Sequence, residues 1–267
     1  MTQDSNKRPH ILLTNDDGIQ AEGIRAMART LEPFCDLLVV APASECSGQG
    51  HAISVLKDIQ LEPYEDKGLK GWGLVGTPAD CVKVAVATLA VGHPFDFVIS
   101  GINRGQNAGI NILYSGTVAA AREAAVLGIP ALAVSLETRE VAQSDYSAAA
   151  RVGVDVLRLI QEHPLPRGLM LNVNVPALAY ERLKGWAVTR MGNSGYSDLF
   201  RDETAGDAQG PKVYRNIGNG WNPSTPIDEE VDDHALAAGY VSITPLHFDL
   251  TAHGFIPRLV EWMAVKK

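Results

Sequence analysis

The chain has little cysteine, few aromatic residues, no long apolar run and no excess of basic charge. Cys35, Cys46 and Cys81 are odd in number and lack paired metal-ligand spacing, which argues against a disulfide framework or a cysteine zinc site and points to a reducing compartment. No stretch approaches the roughly 20 apolar residues that span a bilayer. The opening residues, MTQDSNKRPH, hold no apolar region that would serve as a signal peptide, so a cytoplasmic protein is expected. With 23 Lys and Arg against 31 Asp and Glu, the formal net charge is −8, which argues against a nucleic-acid duplex or an anionic membrane as partner. Small phosphate esters stay open, because a metal inverts the sign of a local site. Repeats and low-complexity segments are also missing.

What is present is enough for a full core: 267 residues, 46% of them hydrophobic. A folded monomer of this size exposes roughly 11,000 Å². The chain is organised around HILLTNDDG at 10–18, in which a short apolar run leads into Asp16, Asp17 and a glycine that lets the backbone turn. Such a run reads as a central parallel strand covered on both faces. Ligands of open α/β sheets collect just beyond the carboxyl ends of the strands, where these two acids stand. Adjacent carboxylates raise each other's pKa unless a cation or a set of donors offsets them. A divalent metal answers that need; the alternative is one Asp capping the next helix and the other facing solvent.

Further along, 21–31 carries apolar residues at helical spacing and 37–41 reads as a second strand, making a βαβ unit with parallel strands. The small-residue loop PASECSGQGH at 42–51 leaves that strand, so Ser47 is either an oxygen ligand beside Asp16 and Asp17 or a surface turn serine. Residues 52–75 suggest antiparallel strands or a hairpin. TPAD at 77–80 is a helix start, with Thr77 as N-cap and Pro78 at the first turn, and the helix is expected to reach about residue 90 with Cys81 in the core. A strand at 94–100 leads to a long loop with four glycines, where Asn103 lies near the strand end as a neutral oxygen donor. Ser115, Gly116 and Thr117 then open a helix that ends at Gly128, either as an anion site or as an ordinary cap. A strand at 129–135, a helix at 144–161, strands at 168–175 and 239–245 and a helix at 254–265 complete the pattern. Residues 191–232 lose periodicity and read as a protruding hairpin used for oligomerisation. Asp249 and His253, four apart, either support the site or form a structural hydrogen bond, and His51 is similarly open.

Asp16, Asp17, Ser47 and Asn103 all follow strand ends and all offer oxygen, which suits Mg²⁺ or Mn²⁺ and not zinc. An anion-binding helix start beside a hard cation suggests phosphoryl transfer to water. The sequence resembles the SurE survival-protein family of nucleotidases in ILLTNDDGI (11–19), APASECSGQGHAIS (41–54), GTPADCVKVA (76–85), SGINRGQNAGINILYSGT (100–117), NVNVP (172–176) and GYVSITPLHFDLTAH (239–253). The resemblance implies a three-layer α/β/α fold with a mostly parallel Rossmann-like sheet, a core over about 8–135, and a dimer or tetramer formed through a C-terminal arm. It further implies a single 267-residue domain that hydrolyses nucleoside 5′- and 3′-monophosphates, and short polyphosphate, with one divalent metal ion. Metal ligands would be Asp16, Asp17, Ser47 and Asn103; phosphate would meet Asn15, Ser115, Gly116 and Thr117; Asp16 or Asp17 would act as base. One departure is Val231-Asp232, where many members have Thr-Asp.

Two rivals belong to other chemistries. A receiver-like Mg²⁺-binding switch also has an acidic pair after its first strand, but needs an acceptor Asp where this chain has Ser100-Gly-Ile-Asn103. A phosphatase with an aspartyl nucleophile needs Asp-x-Asp where this chain has Asp-Asp-Gly.

Overall fold

All five residues of β1 (His10–Thr14) are buried, because the strand runs through the middle of a sheet covered on both sides. The structure is a computed structural model and describes residues 8–138, 145–204, 210–218 and 220–264. Residues 1–7, and the expected helix limits at 144 and 265, lie outside the described residues.

After β1 come α1 (Glu22–Leu31), β2 (Asp36–Pro42), the hairpin β3 (Gln60–Asp66) and β4 (Leu69–Val75), α2 (Pro78–Val84), β5 (Phe97–Arg104), α3 (Gly116–Val126), β6 (Ala131–Leu136), α4 (Ser147–Glu162) and β7 (Leu169–Val175). The chain continues through β8 (Trp186–Val188), the short arm strands β9 (Gly195–Tyr196), β10 (Phe200–Asp202), β11 (Tyr214–Asn216) and β12 (Trp221–Asn222), then α5 (Asp232–Ala237), β13 (Val241–His247) and α6 (Ile256–Ala264). Nine strands form one sheet in the order β3-β4-β2-β1-β5-β6-β7-β13-β8. The six from β4 to β7 are parallel, with β3 and β13 antiparallel to their inner neighbours.

Strand residues alternate between two cores. Ile11, Leu13 and Ile99 pack with Ile24, Met27, Val156 and Ile160 of α1 and α4. On the other face, Leu12, Val40 and Val98 pack with Val82 of α2 and Val118, Ala121 and Ala124 of α3. The result is the expected three-layer α/β/α arrangement with a mostly parallel sheet. From β1 the chain moves outward through β2 and β4 on one side, and through β5, β6 and β7 on the other. The carboxyl ends of β1 and β5 therefore flank a topological switch point, the crevice where ligands of such sheets bind.

Local signals hold where chemistry is short-range. Thr77 accepts from Asp80 N while the Asp80 carboxylate accepts from Thr77 N, a complete capping box with Pro78 in the first turn. Gly128, at φ +80°, follows the C-cap of α3. The helix expected to reach residue 90 is α-helical only to Val84 and continues as a wider π turn over Ala85–Leu89. β5 extends past the expected end at 100: at Gly101 a Cβ would lie 2.2 Å from the Val134 carbonyl oxygen, so only glycine lets β5 stay against β6 through the register shift that follows. Neither β8 nor α5 was signalled by periodicity, both being too short for it.

The described arm residues form two antiparallel pairs, β9 with β12 and β10 with β11. Every residue of β10 and β11 is exposed, and α6 has no buried residue.

Candidate active site

β1 hands the chain directly to Asn15, Asp16 and Asp17, and Gly18 turns it at φ +95°. The turn is held by Asn15, whose amide Nδ2 donates to Gly18 O (2.9 Å), and by Ile19 N donating to Pro42 O (2.9 Å) at the end of β2. Asn15 is fully buried and does not border the cavity, and its Oδ1 has no protein partner. The expected phosphate contact is therefore not available to this side chain as it stands; its visible role is to shape the acidic turn.

Asp16 is only 3% exposed and faces the N-terminus of α3. Its carboxylate accepts the Thr117 hydroxyl and is approached by the backbone N–H groups of Thr117 and Gly116. A Cβ on Gly116 would lie 2.7 Å from the Asp16 Cβ, so this helix can come so close only with glycine at its first turn. Gly116 and Thr117 thus serve Asp16 first, and of the Ser115-Gly116-Thr117 triplet only Ser115 borders the cavity. Ser115 is the N-cap, its Oγ accepting from Val118 N at 3.1 Å.

The two carboxylates are short of positive charge. Burial raises the Asp16 pKa against the opposing pull of its hydrogen bonds. Asp17 is raised to about 6, first by burial and further by the Asp16 charge, although Arg104 N donates to its Oδ2 at 2.9 Å. Asn103 stands beside them at the end of β5, 8% exposed; its Nδ2 donates to Gly105 O (2.7 Å), which leaves the carbonyl oxygen as its free acceptor. Ser47 reaches the same cavity from the loop after β2, its hydroxyl donating to Glu45 Oε1 (2.8 Å), while Cys46 N donates to Asp16 O (2.8 Å) and ties that loop to β1.

These groups fit a hard divalent cation: two under-compensated carboxylates, a free amide oxygen and a hydroxyl, with no imidazole or thiolate among them. Among the described residues no three His, Cys, Asp or Glu side chains are grouped to hold a metal. An ion here must rely on neutral oxygens such as those of Asn103 and Ser47.

The cavity has a volume of about 600 Å³. Asp16, Ser47 and Asn103, which follow strand ends, and Ser115, which opens α3, border it; Asp17, also placed after β1, is not among its lining residues. It is also lined by residues that sequence reasoning did not single out: Asn107, Asn111 and Tyr114 from the loop between β5 and α3, and Tyr196, Asp198 and Asn216 from the arm. The amide-rich loop was a visible signal; the arm gave none toward this cavity. Asn107 is fixed from below, its N–H donating to Asn174 Oδ1 (2.8 Å) and its Nδ2 to Ser135 Oγ (2.9 Å), while Asn172 Nδ2 donates to Asn107 O (2.8 Å). Asp232, wholly buried, accepts from Gly109 N (2.8 Å), Gly192 N (3.0 Å) and Asp233 N (2.9 Å), joining loop, arm base and α5.

His51 does not border the cavity; its Nε2 lies 2.9 Å from Glu123 Oε2, and Lys83 Nζ is 3.1 Å from Glu123 Oε1. The Asp249 and His253 side chains meet at 2.7 Å on an exposed segment, away from the lining residues.

The sequence model described as "Survival protein SurE" matches residues 11–198. The chain belongs to the SurE family. Similar relatives named 5'-nucleotidase SurE include that of Syntrophobacter fumaroxidans, 42% identical over 94% of this chain and 98% of the relative, and that of Carboxydothermus hydrogenoformans, 42% identical over 95% and 96%. Among solved structures, the SurE protein from Aquifex aeolicus superposes with a TM-score of 0.81 at 34% identity, covering 96% of this chain and 100% of that one. The SurE match begins at Ile11 in β1 and ends at Asp198 in the arm, so it spans every element that lines the cavity up to that residue.

Proposed function

We propose that this chain is a divalent-metal-dependent 5'-nucleotidase that hydrolyses nucleoside 5′-monophosphates, and also 3′-monophosphates, to nucleoside and phosphate, with short polyphosphate as a further substrate class. The observation that carries this reading is the pair of a buried Asp16 and a part-buried Asp17, both under-compensated at the switch point of the sheet, beside the free oxygen of Asn103. The names of its SurE relatives support the same activity.

Asp16, Asp17, Ser47 and Asn103 would hold one Mg²⁺ or Mn²⁺. When bound, such an ion supplies neutralisation of phosphate charge and a more acidic water. Ser115, the residue of the α3 start that borders the cavity, receives a phosphate oxygen, with the helix dipole favouring its negative charge. Asp16 or Asp17 accepts the proton of the attacking water. As the water oxygen bonds to phosphorus, the ester P–O bond breaks, and its oxygen leaves as the nucleoside hydroxyl on taking back the proton that the aspartate accepted. A receiver-like switch is not favoured, because Asn103 stands at the β5 end where that chemistry needs a carboxylate.

The chain acts as one domain in the cytoplasm, assembled as a homodimer or homotetramer. No described helix is long and apolar enough to cross a membrane. Assembly is supported by two outlying elements: the arm, in which every residue of β10 and β11 is exposed, and α6, on which Leu259, Val260 and Trp262 are exposed.

The test is phosphate release from a panel of nucleoside monophosphates by EDTA-stripped protein, with Mg²⁺, Mn²⁺ or Zn²⁺ added back. Turnover restored by Mg²⁺ or Mn²⁺ is the expected result. Folded, metal-binding protein without turnover on any nucleotide would overturn the reading.

A further inference from the structure

The cavity joins two chemistries. Its floor is buried and charged or polar: Asp16, Asn103 and Ser115 are each less than 10% exposed. Its rim carries two tyrosines, Tyr114 and Tyr196, 59% and 62% exposed. Phosphate and a cation account for the floor and leave the aromatic rim without a task.

Tyr196 is held in place from several sides. Trp221 pairs with it across β9 and β12 and braces its ring edge-on, with centroids 5.3 Å apart and planes at 78°. Two residues earlier, Ser194 O accepts from Ile110 N (2.8 Å), and a Cβ on Gly109 would lie 2.2 Å from Ser194 Oγ, so arm base and cavity loop are in direct contact. Asp232 clamps the same junction. The arm strand that carries Tyr196 is thereby fixed to the loop that ends in Tyr114 and Ser115. An exposed aromatic face braced in this way is pre-organised to stack.

We propose that Tyr196, with Tyr114 as a second aromatic wall, is the stacking platform for the nucleobase of the substrate, so that the arm is a specificity element of the cavity. The proposal rests on the nucleotidase reading above. Every base has a π face, so recognition by stacking is tolerant of base identity. The polar pair beside Tyr196 is tied to itself and to the arm: Asn216 Nδ2 donates to Asp198 Oδ1 (2.8 Å), and Asn216 Oδ1 accepts from Gly218 N (3.0 Å). Purine and pyrimidine nucleotides are therefore expected to depend on Tyr196 alike.

The test compares kcat/KM for AMP, UMP and ribose 5-phosphate, which carries the phosphate ester without a base, in the metal-loaded wild type, Tyr196→Ala and Tyr196→Phe. Losing a stacking ring is expected to lower the nucleotide to ribose 5-phosphate ratio of Tyr196→Ala on the order of 10- to 100-fold, through KM for both nucleotides. Tyr196→Phe, which keeps the ring, is expected to restore the ratio. A ratio that Tyr196→Ala leaves unaltered, whether both activities fall together or neither does, overturns the proposal. A wild type that hydrolyses ribose 5-phosphate but no nucleotide overturns the nucleotidase reading itself, and the base platform with it.

Discussion

At the floor of the cavity, Asp16, Asn103 and Ser115 are buried and tied to backbone groups; at the rim, Tyr114, Tyr196 and Asp198 stand exposed on a short turn and a hairpin. The floor comes from the ends of β1 and β5 and the start of α3, elements whose positions are fixed by sheet pairing and two apolar cores. The rim is held outside the main sheet, through the Trp221 pairing, the arm base and Asp232. Charge that must act on phosphate needs fixed groups in a low-dielectric setting, where each electrostatic contact is stronger than in water. A flat ring that accepts varied bases needs area and bracing more than burial.

Substituting the floor should have the largest effect. Asp16→Asn removes a charge that would bind the ion directly, so phosphate release is expected to fall by more than the roughly 10- to 100-fold seen when groups behind metal ligands are altered. Steady-state rates at saturating Mn²⁺ check this. Activity near wild type would dissolve the distinction between floor and rim.

Asp232→Ala attacks the joint between the two regions. It leaves three backbone N–H groups without their buried carboxylate partner, a loss of about 2–4 kcal/mol. Denaturant unfolding should report that loss, and nucleotide KM should rise because Tyr196 is no longer held. A stability loss with unaltered KM would mean that the arm does not need this clamp.

Glu123→Gln tests the support beneath the loop that carries Ser47. Its pKa is lowered chiefly by the hydrogen bond from His51, against burial, and further by Lys83. A carboxylate lowered in the folded state contributes stability that is present above its ordinary value near 4.5 and is lost as pH falls through the folded value. The variant should melt roughly 2–6 °C lower at neutral pH, and the gap should close in thermal scans below pH 4.5. The smallest effect on chemistry is expected from Leu259→Glu with Trp262→Glu on exposed α6: sedimentation should shift toward monomer while turnover per subunit stays as in the parent.

Much of the floor was legible because its signals are local. An apolar run broken by two acids and a glycine states its geometry within a few residues, as do, outside the floor, the Thr-Pro-x-Asp start of α2 and the glycine after α3. The order of use within Ser115-Gly116-Thr117 was not legible, since the partner of Thr117 is Asp16, 101 positions away. His51 is likewise explained by Glu123, 72 positions on. The rim escaped for the same reason. The described strands within 191–232 are two or three residues long, too short to show periodicity, and nothing local in Tyr196 or Asn216 says that they close a cavity begun at Asp16.

The central claim is that the floor is an all-oxygen site for one divalent cation, and Mn²⁺ binding measured by electron paramagnetic resonance tests it without any substrate. Titrating EDTA-stripped wild type and Asp16→Asn side by side should give one tight site per subunit in the first and none in the second. Equal Mn²⁺ binding by the two proteins would contradict the account.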